Sequence, residues 1–290
     1  MRVPAWFSDA YAPAEVPLLA RLDTTRALLQ RLDLIELHAA DPIDLRQLQG
    51  LHDDDYLQAF LEGRAPLASR QGIRWTPRVR DASLAMLGGQ LQAAQHALDH
   101  GLAMNIARGF HHAHPAAGSG FCALNGLALL AHAMPQRRIM VLDCDEHGGN
   151  GTEEFAARLP NLYAVSIFGT RFGCQGGVRS WACHVTREQG YAEYRRALDQ
   201  AAALVDEHRP ELLVYQAGAD CHRNDPKSQL KLSTHEMFER DLQAFRLARH
   251  RRLPMLFVVA GGYQTAERVA RLNANTVRAA RIAWTGAAAR

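Results

Sequence analysis

The strongest constraint on the fold lies in residues 138–151, RIMVLDCDEHGGNG. Ile139, Met140, Val141 and Leu142 form an unbroken apolar run, which suits a strand covered on both faces in a parallel sheet. The apolarity stops at Asp143-Cys144-Asp145-Glu146-His147. Side chains alternate along an extended chain, so Asp143, Asp145 and His147 are expected to project one way, Cys144 and Glu146 the other. Three ionisable groups facing one way at the end of a buried strand are costly unless paired or metallated. The stretch therefore predicts a divalent-metal site, with Gly148, Gly149 and Gly151 letting the backbone turn sharply beside it.

The rest of the chain supplies a sheet for that strand. Residues 16–32, 44–62, 81–100, 152–159, 191–208 and 233–250 read as helices, and a final helix follows residue 263. Ser233 and Glu236 have capping-box spacing, while Gly63, Gly101 and Pro210 mark helix ends. Strands are expected at 34–40, 103–106, 139–142, 162–167, 212–216 and 255–259. Residues 63–80 and 168–181 lack a period and read as a surface connection and a loop over a site. Strands alternating with helices predict an α/β fold, a doubly wound parallel sheet with helices on both faces. No repeat or linker interrupts it, so residues 1–290 are expected to form a single domain.

Composition narrows the function. With 48% hydrophobic residues the chain can bury a sizeable core, and a net charge of only +3 gives no strong electrostatic case for nucleic acid as a partner. The five cysteines are an odd set without paired spacing, as expected in a reducing compartment. The opening residues lack the apolar core of a secretion signal, and the longest apolar run, near residues 255–260, is too short for a membrane. A cytoplasmic protein without membrane contact is expected.

In doubly wound sheets ligands bind beyond the carboxyl ends of the strands. Here three strand ends break into chemistry: Asp143/Asp145/His147, then Asp220, then Tyr263. A fourth polar cluster, Arg108-Gly-Phe-His111-His112-Ala-His114, follows the strand at 103–106. The segments GFHHAHPAAGSGFC, DCDEHGGNGT, YQAGAD and AGGYQ, in that order, resemble the zinc-dependent histone deacetylases and their bacterial deacetylase-like relatives over about residues 50–275. GFHH, the residues after the metal strand and GGYQ are most similar to the class IV branch.

That resemblance implies the arginase/deacetylase fold and a set of roles. Asp145, His147 and Asp220 would bind zinc, or ferrous iron in its place, leaving one position open for water, as catalytic sites do. His111 and His112 would be the tandem histidines, oriented by Asp143 and Asn150, and Tyr263 would polarise the amide carbonyl. Phe121, Gly120 and Gly262 would line the acyl-lysine channel. A structural potassium ion would use the backbone carbonyls of Asp143, Asp145 and His147 and the hydroxyl of Ser166. The sequence departs from the family at Gly148, where many members carry histidine, at Asn150, where class I members carry aspartate, and at Asn224, the usual place of a glycine. Phe168 and Phe172 are both candidates for the aromatic facing Phe121.

The chemistry fits these residue types. A metal lowers the pKa of water and draws charge from a carbonyl oxygen. A neutral His112 can take the water proton and return it to the leaving amine, and Tyr263 can share the oxyanion. The expected activity is removal of acyl groups from acyl-lysine in a protein or peptide. Acetylpolyamines or other small acylated amines are the alternative substrates, and a non-catalytic acyl-lysine binding module is the reading from another class. An arginase-type dimanganese site would want Asp-x-His-x-Asp, whereas the order here is Asp-x-Asp-x-His.

Overall fold

In the computed structural model, which describes residues 1–285, the first half of the chain runs β1 (Val3–Phe7), α1 (Pro17–Arg31), β2 (Ile35–Ala39), α2 (Asp54–Glu62), α3 (Pro77–His100), β3 (Leu102–Asn105), α4 (Gly126–Ala133) and β4 (Ile139–Asp143). It continues through α5 (Asn150–Arg158), β5 (Leu162–Phe168), β6 (Ser180–His184), α6 (Gly190–His208), β7 (Leu212–Ala217), α7 (Thr234–His250), β8 (Met255–Val259) and α8 (Ala266–Thr285). The last five residues of the expected domain, 286–290, lie outside the described residues.

The strands form one eight-stranded parallel sheet in the order β2-β1-β3-β8-β7-β4-β5-β6. Every residue of β4, β7 and β8 is buried, which is why these segments read as unbroken apolar runs. Helices α3, α4 and α5 pack in one series and α1, α8, α7 and α6 in another, giving the expected doubly wound arrangement. β3 and β4 follow one another in the chain but are separated in the sheet by β8 and β7. The order reverses there, and such switch points open a crevice at the carboxyl ends of the strands.

Several elements differ from the sequence reading. β1 was not expected, because Pro4 cannot donate to a sheet ladder; it sits early in the strand, opposite Glu36. α4 was not expected either, since Gly126 to Ala131 are all buried and leave no polar face to set a period. The expected helix at 44–62 is a 3-10 turn at Leu45–Leu48 followed by α2, broken at Gly50 with φ 77°. α3 starts at Pro77 rather than 81, with Thr76 accepting from the Val79 amide. The expected loop at 168–181 ends in β6, whose pairing with β5 adds an edge strand. The capping box forms as read, with Ser233 and Glu236 each accepting from the other's backbone amide.

Candidate active site

The carboxyl ends of β4, β7 and β8 meet at one cluster. Asp145, His147 and Asp220 place ligand atoms within 4.8 Å of one another, the single such group among the described residues. His147 Nδ1 lies 3.2 Å from Asp145 Oδ1 and 3.2 Å from Asp220 Oδ2. Backbone amides fix the carboxylates: Gly261 donates to Asp145 Oδ2 (2.7 Å), His147 to Asp145 Oδ1 (3.0 Å) and Glu146 to Asp220 Oδ1 (3.1 Å). Gly261 has to be glycine, because a Cβ there would collide with the Asp220 carboxylate.

These acids are an uneasy pair without a cation. Burial pushes the Asp220 carboxyl upward and the neighbouring Asp145 charge adds to it. Burial opposes ionisation of Asp145 too, but His111 and His147 pull it well below the carboxylate range. Burial alone would depress His147; the carboxylates of Asp145 and Asp220 beside it lift it to about 10 instead. Asp220 Oδ2 is fully buried and receives no well-formed hydrogen bond. An acceptor left in this state, beside a second carboxylate and an imidazole, fits a divalent ion bound by two oxygens and one nitrogen.

Asp143 does not join the cluster. Alternation along the strand groups it with Asp145 and His147, but its Oδ2 meets His111 Nδ1 at 2.6 Å, and its Oδ1 accepts from Gln216 Nε2 and the Asp145 amide, each at 3.1 Å. Burial works against a charged His111, but Asp143 and Asp145 raise it above its ordinary value. His112 is the opposite case: burial, then the neighbouring His111, depresses it well below its ordinary value. Two adjacent imidazoles are thus driven apart, one toward the cation and one toward the neutral base.

The tautomer of His112 is fixed by a chain of hydrogen bonds. His112 Nδ1–H donates to Asn150 Oδ1 (2.7 Å), Asn150 Nδ2 donates to His114 Nε2 (3.1 Å), and His114 Nδ1–H donates to Glu154 Oε2 (2.7 Å). Nε2 of His112 is left as the acceptor. The sequence reading supplied Asn150 but no role for His114 or Glu154; the only signal was the third histidine in HHAH.

Aromatic rings surround the trio. Phe172 lies against His112, tilted by 36° with centroids 4.1 Å apart, and 5.9 Å from His147. Phe168 is buried in β5 and stacks on His184, so Phe172 is the aromatic at the site. Phe121 faces Tyr263 at 6.3 Å. Gly120, at φ 50°, lies against the His112 ring, where any Cβ would clash. Gly262 runs beside Val269, its Cβ position 3.1 Å from the methyls. The Tyr263 amide donates to Asp225 Oδ2 at 2.6 Å, and Lys227 Nζ lies 4.9 Å from the Tyr263 ring. Burial raises the Tyr263 phenol well above its ordinary value, keeping the hydroxyl a donor.

Residues behind the site hold it in place. Arg240 is fully buried and its Nη1 donates to the carbonyls of Cys144 (3.0 Å) and Gly218 (2.9 Å), tying the ends of β4 and β7 together. Glu146, which projects away from the trio as expected, accepts from Thr170 Oγ1, Ser228 Oγ and the Gln229 amide. Burial pushes its carboxyl up to about 7. Gly148 meets Cys174 and the Arg171 carbonyl so closely that no side chain fits, which accounts for the missing histidine. Ser166 pairs with Asp143 in register and accepts from the Gly149 amide at 3.0 Å.

His52 secures the loop after the tandem histidines. Its Nδ1 meets the carbonyls of His114 (3.0 Å) and Pro115 (3.2 Å), and its Nε2 accepts from the Asn125 amide (3.1 Å). Burial depresses it to about 4 from an ordinary 6.5. A group with a lowered folded pKa contributes stability that is full above pH 6.5 and is lost as pH falls toward 4. His52→Gln keeps a donor and an acceptor without titrating. Urea unfolding from pH 7 to 4 is expected to show a shallower loss in His52→Gln, by about 2–3 kcal/mol at the acid end. Parallel curves for the two proteins would remove His52 from this role.

The histone deacetylase domain matches residues 15–280 of the chain. The protein belongs to the histone deacetylase family. An uncharacterized protein of Picosynechococcus is 32% identical over 233 residues, 76% of each chain. Histone deacetylase 2 of Arabidopsis thaliana is 29% identical over 253 residues, 81% of this chain and 64% of the relative. Acetylpolyamine amidohydrolase 1 of Pseudomonas aeruginosa is 29% identical over 170 residues, and the match spans about half of each chain, 53% of this one and 48% of the relative. The crystal structure of acetylpolyamine aminohydrolase from Burkholderia pseudomallei superposes with a TM-score of 0.81 at 19% identity, covering 97% of this chain and 99% of that one. The fold is the arginase/deacetylase fold, and family membership makes the protein an amide-hydrolysing enzyme of the deacetylase type. No helix among the described residues is long and apolar enough to cross a membrane.

Proposed function

We propose that this deacetylase-family member is a zinc-dependent deacylase acting on acyl-lysine. The observation that carries the reading is the flanking of the trio: His112 lies 6.1 Å and Tyr263 6.3 Å, ring to ring, from His147. Asp145, His147 and Asp220 would hold the metal, which supplies Lewis acidity to the carbonyl and acidifies water.

The chain's own groups do the rest. His112, neutral and with Nε2 free, takes the proton from the attacking water and returns it to the lysine amine as the C–N bond breaks. His111, charged through Asp143, stabilises the developing negative charge, and Asn150 keeps His112 in the required tautomer. The Tyr263 hydroxyl donates to the carbonyl oxygen, most strongly when that oxygen becomes an oxyanion. Phe121, Phe172, Gly120 and Gly262 make a narrow channel for the lysine methylenes. The carbonyls of Asp143, Asp145 and His147, with Ser166, would hold a potassium ion behind the site. Lys227, beside both Tyr263 and Phe121, disfavours a polycationic amine and so favours acyl-lysine over an acetylpolyamine.

Tyr263→Phe tests the reading. The ring, its packing and the metal trio are untouched, so folding and metal content are expected to match wild type. Turnover of an acyl-lysine peptide is expected to fall about 100- to 1,000-fold, the loss for one oxyanion donor. Turnover within a factor of about three of wild type would mean that this tyrosine is not the donor.

A further inference from the structure

Arg108 is a buried charge that the mechanism does not use. It follows β3, three residues before His111, and only 4% of its surface is exposed. Its Nη1 is fully enclosed without a hydrogen-bond partner. Arg21, 7% exposed, lies in the same region: its Nη2 donates to the Ala260 carbonyl at 3.1 Å and its guanidinium is 5.7 Å from the Tyr263 ring. The two guanidiniums are close enough for the charge of Arg108 to depress Arg21, which burial already lowers, to about 10. Arg108 also acts on the Tyr263 hydroxyl, countering the rise that burial causes. Neither arginine forms an ion pair with a carboxylate among the described residues.

An enclosed guanidinium nitrogen without a partner is costly to bury. Asp145 and Asp220 cannot offset it once they are committed to a divalent ion. An anion entering with the substrate would complete it. A guanidinium matches a carboxylate with two parallel hydrogen bonds. Phe172, 42% exposed, and the half-buried Phe121 mark the mouth of the site; an acyl tail beyond the scissile carbonyl runs away from that mouth, toward the buried side where Arg21 lies against Tyr263. A long hydrocarbon tail would press methylenes against two charges.

We propose, resting on the deacylase reading, that this enzyme prefers a short acyl group ending in a carboxylate, of the succinyl kind, with Arg108 as its anchor and Arg21 beside it. The reaction is ordinary hydrolysis. The water oxygen bonds to the acyl carbon, the C–N bond breaks, one water proton passes to the lysine amine, and a dicarboxylate leaves.

The test uses the metal-loaded full chain and one lysine peptide carrying acetyl, succinyl or 4-methylpentanoyl, the last having the shape of succinyl without its charge. Wild type is expected to favour succinyl over 4-methylpentanoyl by about tenfold or more in kcat/KM. Arg108→Leu is expected to bring that ratio to about one, chiefly through KM for the succinyl peptide. Arg108→Gln, with thermal unfolding and metal content measured alongside, covers the case in which the leucine variant does not fold. Wild type cleaving 4-methylpentanoyl as well as succinyl would overturn the proposal, as would a folded, metal-loaded Arg108 variant that keeps the preference. Calorimetry of wild type with succinate and with 4-methylpentanoate separates the two readings. If no peptide of any kind is cleaved, the deacylase reading fails, while tighter binding of succinate would still uphold the anchor and equal binding would overturn it.

Discussion

Asp220→Ala is expected to abolish both tight metal binding and amide hydrolysis. Asp220 supplies the one oxygen of the trio that is buried and lacks a hydrogen bond, and it comes from β7, whereas Asp145 and His147 share the end of β4. Removing it leaves two ligands from one short segment, too few for a tetrahedral site with one open position. The fold is expected to survive, because Asp220 accepts only from the Glu146 amide and its loss relieves repulsion with Asp145. Metal analysis of the purified variant, with circular dichroism as a control on folding, checks this. Full metal stoichiometry in a folded Asp220→Ala would show that the ion sits elsewhere.

His112→Ala is expected to lower turnover by about two to four orders of magnitude while the metal stays bound. The imidazole is held by Asn150 and pressed between His111 and Phe172, and it contributes no atom to the trio. His111→Ala is expected to behave differently. Its cationic character derives from Asp143 and Asp145, so its removal withdraws electrostatic stabilisation and leaves a neutral base in place. Single-turnover rates for both variants, at equal metal content, separate the roles. A His112→Ala enzyme as active as wild type would transfer the base function to another group.

What could be read in the sequence was the set of places where an apolar run breaks into chemistry. β4, β7 and β8 announced themselves because buried parallel strands are uniformly apolar, and Asp145, Asp220 and Tyr263 stood out as the residues that ended them. Asp143 shows the limit of that argument. It obeys the same alternation as Asp145 and His147, yet its carboxylate serves His111, 32 residues back in the chain. The supports were hidden for the same reason. Arg240 clamps a carbonyl 96 residues away and Glu146 holds amides more than 80 residues away, and nothing in local spacing marks such pairs. β1 and α4 were missed for the opposite reason, a proline inside a strand and a helix with no polar face.

The hydrogen-bonded row from His112 to Glu154 has a direction. Glu154 can only accept when ionised, so His114 gives it the Nδ1 proton and, as a neutral ring, receives at Nε2. That in turn obliges Asn150 to turn its amino group toward His114 and its oxygen toward His112. The deepest imidazole therefore learns where to keep its proton from a carboxylate whose side chain is 43% exposed to solvent. With aspartate at 150 the row would be cut: a carboxylate has no hydrogen to pass on, and His114 could face it only by reversing its tautomer and abandoning Glu154 or by taking a second proton. Asparagine thus exchanges the field of a nearby negative charge for a hydrogen-bonded line from the innermost imidazole to the surface.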